Sequence, residues 1–375
     1  MKVERVESRI VNIPLRRPYV FSHGAIDAFK NVVVWIYTDE GIRGVGEADV
    51  IPSVSEETPE GIKYVIDRYL GPLIVGKDPF DTPLILEEMD GFIPGNLAAK
   101  AGIDVALLDL KGKALNLPAY KLLGGKYKTR ILVDYTIGID TPENMAKEAV
   151  FRRNQGYSTL VVKIGHDLDT DIQRMKLVRE AVGPDVNIRL DANEGYRPDQ
   201  AIKTIKRLER YDPELVEEPV KRWDLDGMAK VARAVDTPIS SDESNTTLQS
   251  ALQIIDSEAA DILNLKITKN GGIYNCIKIA AVAEAAGIPC LVGGMTTFEI
   301  TRQASRHFAA CTPQVQRGYA SEGCGPASQA LEDDIVKTPI TYEDVSRMGG
   351  YVEVSHKPGL GAELDGEKIR KYVVS

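Results

Sequence analysis

Three acids and two lysines carry the chemistry that can be read from this sequence. Lys163, Asp191, Glu217, Asp242 and Lys266 follow one another at intervals of 28, 26, 25 and 24 residues, and each stands at the end of a short apolar run. Carboxylates brought together repel, and each raises the pKa of the others. A hard divalent cation removes the conflict. Three oxygen donors without His or Cys favour Mg²⁺, with Mn²⁺ as the alternative, and leave positions for water or substrate. The lysines bracket the trio. An ammonium near a divalent cation and a second ammonium has its neutral form favoured, so either lysine can act as a base. Two such groups facing each other could take a proton from one side of a carbon and return one to the other. The cation would hold a substrate carboxylate and stabilise the enediolate left when the α-proton departs. Unrelated surface acids and salt-bridged structural lysines are the plainer readings, and the shared interval weighs against both.

Such a group needs a scaffold that points five consecutive strand ends at one place. From Arg130 onward, apolar runs at 131–137, 159–165, 187–192, 214–218, 238–242, 261–267, 289–294 and 316–321 alternate with helical segments such as the one carrying Ala201, Ile202, Ile205 and Leu208. Thr141-Pro142-Glu143 reads as a helix entry and Gly156 as its exit. Eight strands with seven intervening helices predict a closed parallel barrel, whose strands all present their carboxyl ends to one face. An open doubly wound sheet is the alternative, but it would not gather five successive strand ends around one point.

Before the barrel, residues 2–12 alternate as a strand, and 32–37 meets 42–47 as an antiparallel hairpin about Asp39-Glu40-Gly41. The Gly44-x-Gly46 pattern lies within a strand, so it reads as structural rather than as a nucleotide loop. A helix over 98–115 has apolar steps of three and four, with Asn96 as its expected cap; Asp104 and Asp109 on it are expected to be structural. The tail, 331–375, reads as short strands and turns that pack back on the amino-terminal module. Cys276, Cys290, Cys311 and Cys324 form no CxxC pair, which suits a reducing, cytoplasmic setting. A net charge of −9 and a pI near 5.2 argue against nucleic acid or an anionic membrane as partner. No signal peptide and no run long enough to span a bilayer is evident.

The chain resembles the enolase superfamily, in its muconate-lactonising-enzyme subgroup, over nearly its whole length. The resemblance rests on Gly46-Glu47-Ala48, Ile103 through Asp109, Leu122-Leu123-Gly124-Gly125, Leu190-Asp191-Ala192-Asn193, Glu217-Glu218-Pro219, Asp242-Glu243-Ser244, Lys266 through Gly272 and Gly293-Gly294-Met295. It implies a modified TIM barrel, (β/α)₇β, over 129–325, with an α+β capping domain made from 1–128 and completed by 326–375. It also implies Mg²⁺ on Asp191, Glu217 and Asp242, with Lys163 and Lys266 as the acid–base pair. Asn193, Glu243, Asn264, Met295 and Thr297 would support the site or touch substrate. Loops around Ser22-His23 and Pro52-Ser53-Val54-Ser55 would close over it, and a homo-oligomer is expected.

The chain departs from that subgroup in three places. Val161 stands where the first lysine of Lys-x-Lys is usual, Thr297 where an acid often follows the methionine, and Ser321-Glu322-Gly323-Cys324 where dipeptide epimerases carry Asp-x-Asp. Dipeptides are therefore not the expected substrates, and Cys324 reads as a buried inert thiol. His166 is expected in a loop, His307 in a helix and His356 in the tail. The expected activity is racemisation or epimerisation of a small-molecule carboxylate, an amino-acid derivative, through an enolate. Cycloisomerisation or dehydration through the same enolate is the alternative, and a metal-binding protein without turnover is the non-enzymatic one.

Overall fold

The computed structural model describes residues 1–316, 319–326 and 331–374. Its amino-terminal part is an antiparallel sheet of β1 (Val3–Phe21), β2 (Gly24–Thr38) and β3 (Arg43–Ala48). The expected hairpin is there, with Val32 opposite Ala48 and Trp35 opposite Val45. The first strand is much longer than the alternation over 2–12 suggested. Pro14, Pro18 and the Arg16-Arg17 pair obscure the pattern, and the ladder slips between Pro14 and Tyr19 before resuming. Ser22 and His23 therefore form the tip of a β1–β2 hairpin.

The helix Leu97–Ala114 lies across this sheet, buried along most of its length. Gly44 and Gly46 let it approach. A Cβ on Gly44 would sit 2.0 Å from the Ala106 carbonyl oxygen, and one on Gly46 would sit 2.0 Å from that of Gly102. The two acids on this helix hold backbone elsewhere, as expected. Asp104 accepts from the amide of Tyr274, and Asp109 accepts from those of Val45 and Leu360. Asn96 does not cap the helix with its side chain; it adopts φ 52°, and Glu57 accepts from the Ala98 amide instead.

Seven parallel strands come next, in sequential order: β5 (Tyr135–Ile137), β6 (Thr159–Lys163), β7 (Asn187–Asp191), β8 (Leu215–Glu217), β9 (Ile239–Ser241), β10 (Ile262–Leu265) and β11 (Cys290–Val292). Helices connect them, beginning with Pro142–Asn154, which Thr141 caps through the Asn144 amide. The run 131–137 divides in two: β4 (Arg130–Leu132) pairs antiparallel with β12 (Tyr351–Glu353), and only β5 joins the parallel sheet. Of the expected eighth strand over 316–321, residues 317 and 318 lie outside the described residues; Gln316 ends a 3₁₀ turn and 319–321 form no strand, so the parallel sheet has seven strands among the described residues. The segment 319–326 bridges the ends of the sheet. The Ser321 amide donates to the Leu132 carbonyl at 2.9 Å, and a Cβ on Gly323 would meet the Gly293 carbonyl oxygen at 2.1 Å. The sheet thus curls upon itself, an architecture distinct from an open doubly wound sheet.

The tail returns to β1, where Val11 bridges Val373 and Leu15 bridges Leu331. It contains helices at Tyr342–Arg347 and Gly366–Tyr372 as well as a strand, so the expectation of strands and turns alone is corrected. Gly366–Tyr372 starts at Asp365, whose carboxylate caps it. Glu47 ties the two parts together: reaching across from β3, it accepts from the amides of Phe298 and Thr301 at the start of the helix Glu299–Cys311. Among the described residues no helix is long and apolar enough to cross a membrane.

Candidate active site

The parallel register sets the site. Lys163 on β6, Asp191 on β7 and Glu217 on β8 are direct cross-strand partners at the carboxyl ends of their strands. Asp242 directly follows β9, and Lys266 directly follows β10. Because the strands are consecutive neighbours, the three acids form a row with one lysine at each end. Lys163 Nζ donates to the Asp191 carboxylate and, at 2.9 Å, to Asn193 Oδ1. Lys266 Nζ donates to Asp242 Oδ2 at 2.6 Å. A third ammonium, Lys269, reaches Asp242 Oδ1 at 2.8 Å and the Asn264 carbonyl at 3.0 Å.

The charges of the row are unevenly met. Burial, followed by the neighbouring Asp191 and Asp242, pushes the Glu217 carboxyl well above its usual range. Burial also opposes ionisation of Asp242, but Lys266 and Lys269 outweigh it and hold that carboxyl well below the usual range. Burial and the charges of Asp242 and Asp191 raise Glu243 to about 7.

A surrounding set of polar groups fixes these side chains. Asn193 Nδ2 donates to Glu243 Oε1 at 2.9 Å, while its amide donates to Asp191 Oδ1 at 2.9 Å. Glu218 accepts from the Asp242 amide at 2.6 Å and from the Ser244 hydroxyl at 2.9 Å. The turn after β7 is strained, with Asn193 at φ 38° and Glu194 at φ 64°. Gly165 makes room for it, since a Cβ there would lie 2.3 Å from the Ala192 carbonyl oxygen.

The capping hairpin and loop reach this turn. Ser22 Oγ donates to the Asn193 carbonyl at 2.8 Å, and His23 Nε2 lies 3.3 Å from Glu194 Oε2. Arg222 holds Glu194 through Nη2 at 2.8 Å and Nε at 3.1 Å, and its Nη1 donates to the Val54 carbonyl at 2.8 Å. Sequence singled out neither Glu194 nor Arg222, and Glu218 and Lys269 stood only within motifs, without a role. Glu218 and Lys269 lie beside chosen residues, but no periodicity marks Glu194 or Arg222.

The remaining expected residues divide. Met295 borders both cavities at the mouth. Asn264 Oδ1 is buried without a hydrogen-bond partner, beside Gly293. Thr297 borders neither cavity; its carbonyl accepts from Arg302, and its neighbour Thr296 takes the place on the wall. Cys324 is fully buried and its thiol is pushed up to about 12, as an inert cysteine requires. Opposite Val161 in the ladder stands Arg189, whose guanidinium is held by Asp134, Glu214 and the Ala320 carbonyl.

The donor chemistry fits a hard divalent cation at Asp191, Glu217 and Asp242: all donors are oxygen, and Glu217 is crowded by the other two acids. As they stand, however, Asp191 and Asp242 are turned onto lysines. Among the described residues, the acids and histidine whose ligand atoms lie within 4.8 Å of one another are His23, Glu194 and Glu243, and there Arg222 already pairs with Glu194. Glu243 Oε2 is buried without a partner at the edge of the row. A cavity of about 500 Å³ opens over Asp242, Lys266 and Lys269, and a smaller one of about 50 Å³ lies between Lys163 and Lys266.

Comparison with known proteins identifies the family. Residues 5–124 match the mandelate racemase / muconate lactonizing enzyme N-terminal domain, and residues 144–369 match the enolase C-terminal domain-like family. The chain is 36% identical over 375 residues to L-Ala-D/L-Glu epimerase of Bacillus subtilis, covering 98% of this chain and 100% of the epimerase. It is 34% identical over 376 residues to chloromuconate cycloisomerase of a Pseudomonas species, covering 99% of each. Its fold superposes on the dipeptide epimerase of Enterococcus faecalis, solved with Mg and the dipeptide L-Leu-L-Tyr, with a TM-score of 0.91 at 37% identity, covering 97% of this chain and 100% of that one. The chain is thus an isomerase that belongs to the mandelate racemase and muconate lactonizing enzyme family of the enolase superfamily.

Proposed function

We propose that this isomerase is a Mg²⁺-dependent racemase or epimerase of an amino-acid derivative, working by α-proton abstraction from a carboxylate. The observation that carries the reading is that Lys163 and Lys266 stand at opposite ends of the acid row and border one cavity. Asp191, Glu217 and Asp242 would hold the cation, which supplies positive charge against the carboxylate oxygens as the α-carbon loses its proton. Turning Asp191 and Asp242 toward it would take those carboxylates off the Lys163 and Lys266 ammonium groups. One amine then takes the α-proton and the other, still protonated, delivers one from the opposite side. Val161 offers no ammonium beneath Lys163, which is buried, at 9% exposure.

Cycloisomerisation, supported by the full-length likeness to a chloromuconate cycloisomerase, is the second reading, with dehydration through the same enolate beside it. The two are separated in D₂O. Racemisation gives deuterium at the α-carbon with the carbon skeleton unchanged, whereas the second reading changes the skeleton or loses a β-substituent. Absence of α-exchange across a panel of N-acylated amino acids, betaines, hydroxyprolines and muconate-type acids, with Mg²⁺ bound, would overturn the first. We further infer a capping domain from 1–128 and 326–375 around a barrel at 129–325. A homo-oligomeric state, checked by light scattering, and a reducing cytoplasmic setting for the four free cysteines complete the reading.

A further inference from the structure

The cavity between the lysines has two unlike sides. Its reacting side is polar, with Lys163, Asn193, Glu243 and Lys266. The rest of the lining is mainly apolar: Tyr19 and Phe21 from the end of β1, Ile26 and Phe29 from β2, Ile51 and Val54 from the segment after β3, and Met295 from the barrel, with Thr296 beside it. The Tyr19 and Phe21 rings stack at 5.8 Å. Every charged group on this cavity is thus a member of the reacting cluster. The larger cavity, which shares Val54, Glu243, Lys266 and Met295 with it, is of different character, bordered by Glu56, Glu57, Arg222 and Lys269.

Resting on the α-proton reading above, we propose that the preferred substrates carry a branched aliphatic or aromatic substituent on the reacting carbon. A carbon held between the lysines, with its carboxylate toward the acid row, keeps two further substituents: in this proposal the acylamino group extends into the larger, polar cavity and the side chain faces the capping wall. An apolar group there replaces water against seven apolar or aromatic side chains. A charged group would surrender its hydration with no opposite charge on that wall. The discrimination this supports is on the order of 10- to 100-fold, the range hydrophobic pockets achieve.

Two measurements test the proposal separately from the reaction. The first is calorimetric binding to the full chain with Mg²⁺ of 4-methylpentanoate and 3-phenylpropanoate against glutarate and 6-aminohexanoate. The second is α-proton exchange in D₂O of N-acetyl-leucine and N-acetyl-phenylalanine against N-acetyl-glutamate and N-acetyl-lysine. Tighter binding of the apolar pair by roughly 10-fold or more, with the same order in exchange, is expected. The apolar order in binding with no exchange by any compound would leave the recognition proposal standing and remove the α-proton reading. Equal or tighter binding of the charged pair, or binding of none, would overturn the recognition proposal; exchange favouring the charged derivatives would overturn it while leaving the α-proton reading intact. Ile51→Lys, at a partly exposed position, should shift the order toward glutarate and N-acetyl-glutamate, and an unchanged order overturns the assignment of this wall.

Discussion

Glu194 and Arg222 join the two capping segments to the barrel through one ion pair. Glu194 sits on the turn after β7 and touches His23 at the hairpin tip; Arg222 follows β8 and donates to the Val54 carbonyl. Burial disfavours the Glu194 carboxylate, but His23 and Arg222 overcome this and hold its pKa far below the usual range. The pair is a clasp over the site, and neither residue belongs to the acid row.

Replacing Arg222 with Leu leaves Glu194 buried without its cation and frees the Val54 carbonyl. The expected cost is about 2 kcal/mol, discounted for the partial exposure of Arg222. If that cost falls on closure, KM should rise by roughly 10-fold or more while kcat changes less. Proteolytic cleavage within 52–57 should also quicken. Arg222→Lys should restore part of both, and an Arg222→Leu enzyme with unaltered KM and proteolysis would refute the clasp.

The lysines should divide by stereochemistry. With two opposed bases, Lys163→Ala and Lys266→Ala each remove one proton route, so racemisation should fall by about 100-fold or more in both. Exchange of one enantiomer should suffer in the first variant and of its mirror image in the second. Loss of the same enantiomer in both would place the amines on one side of the carbon.

Glu217 should report the cation without turnover. Burial and the two flanking acids disfavour its charge, so Glu217→Gln should leave the metal-free protein as stable as before or more so. The same change should abolish the rise in Tm that Mg²⁺ produces in the unaltered protein. A Glu217→Gln protein with an undiminished Mg²⁺ shift would exclude this residue as a ligand.

Acid sensitivity should come in part from His307, far from the site. The Tyr120 amide donates to its Nδ1 and its Nε2 faces the Leu360 carbonyl, which makes the neutral imidazole the form that fits. Burial lowers its pKa from 6.5 to about 4, against the Leu360 hydrogen bond. The folded state thus resists a proton that the unfolded chain accepts. Stability from this group is present above pH 6.5 and is lost as pH falls from there through 4, at about 1 kcal/mol per pH unit. His307→Gln, which can accept and donate in the same directions, should flatten denaturation curves across that window; an unchanged slope would exclude the group.

The residues of the acid row were legible because a parallel barrel repeats. A strand, a helix and two turns take about the same length each time, so Asp191, Glu217 and Asp242 recur at nearly one interval and their strand-end positions follow. The Gly44-x-Gly46 pair, the helix around Asp104 and Asp109, and the helix entry at Thr141 were legible for a similar reason: each is a local preference of backbone or packing. The continuation of β1 to Phe21 was not, because its prolines and arginines break the alternation. Its ladder is sustained by β2 across the hairpin rather than by its own pattern.

What the amino-acid order determined by itself was therefore the repeating scaffold and the kinds of groups at its strand ends. Only the folded chain decided that Lys163 and Lys266 stand at the two limits of one row, that Glu194 meets His23 and Arg222, and that Thr296 rather than Thr297 borders the cavity. Those relations join segments far apart along the chain. They depend on strand register, on the curl of the sheet and on a left-handed turn at Asn193 and Glu194, and neither spacing nor local propensity encodes the direction in which a side chain finally points.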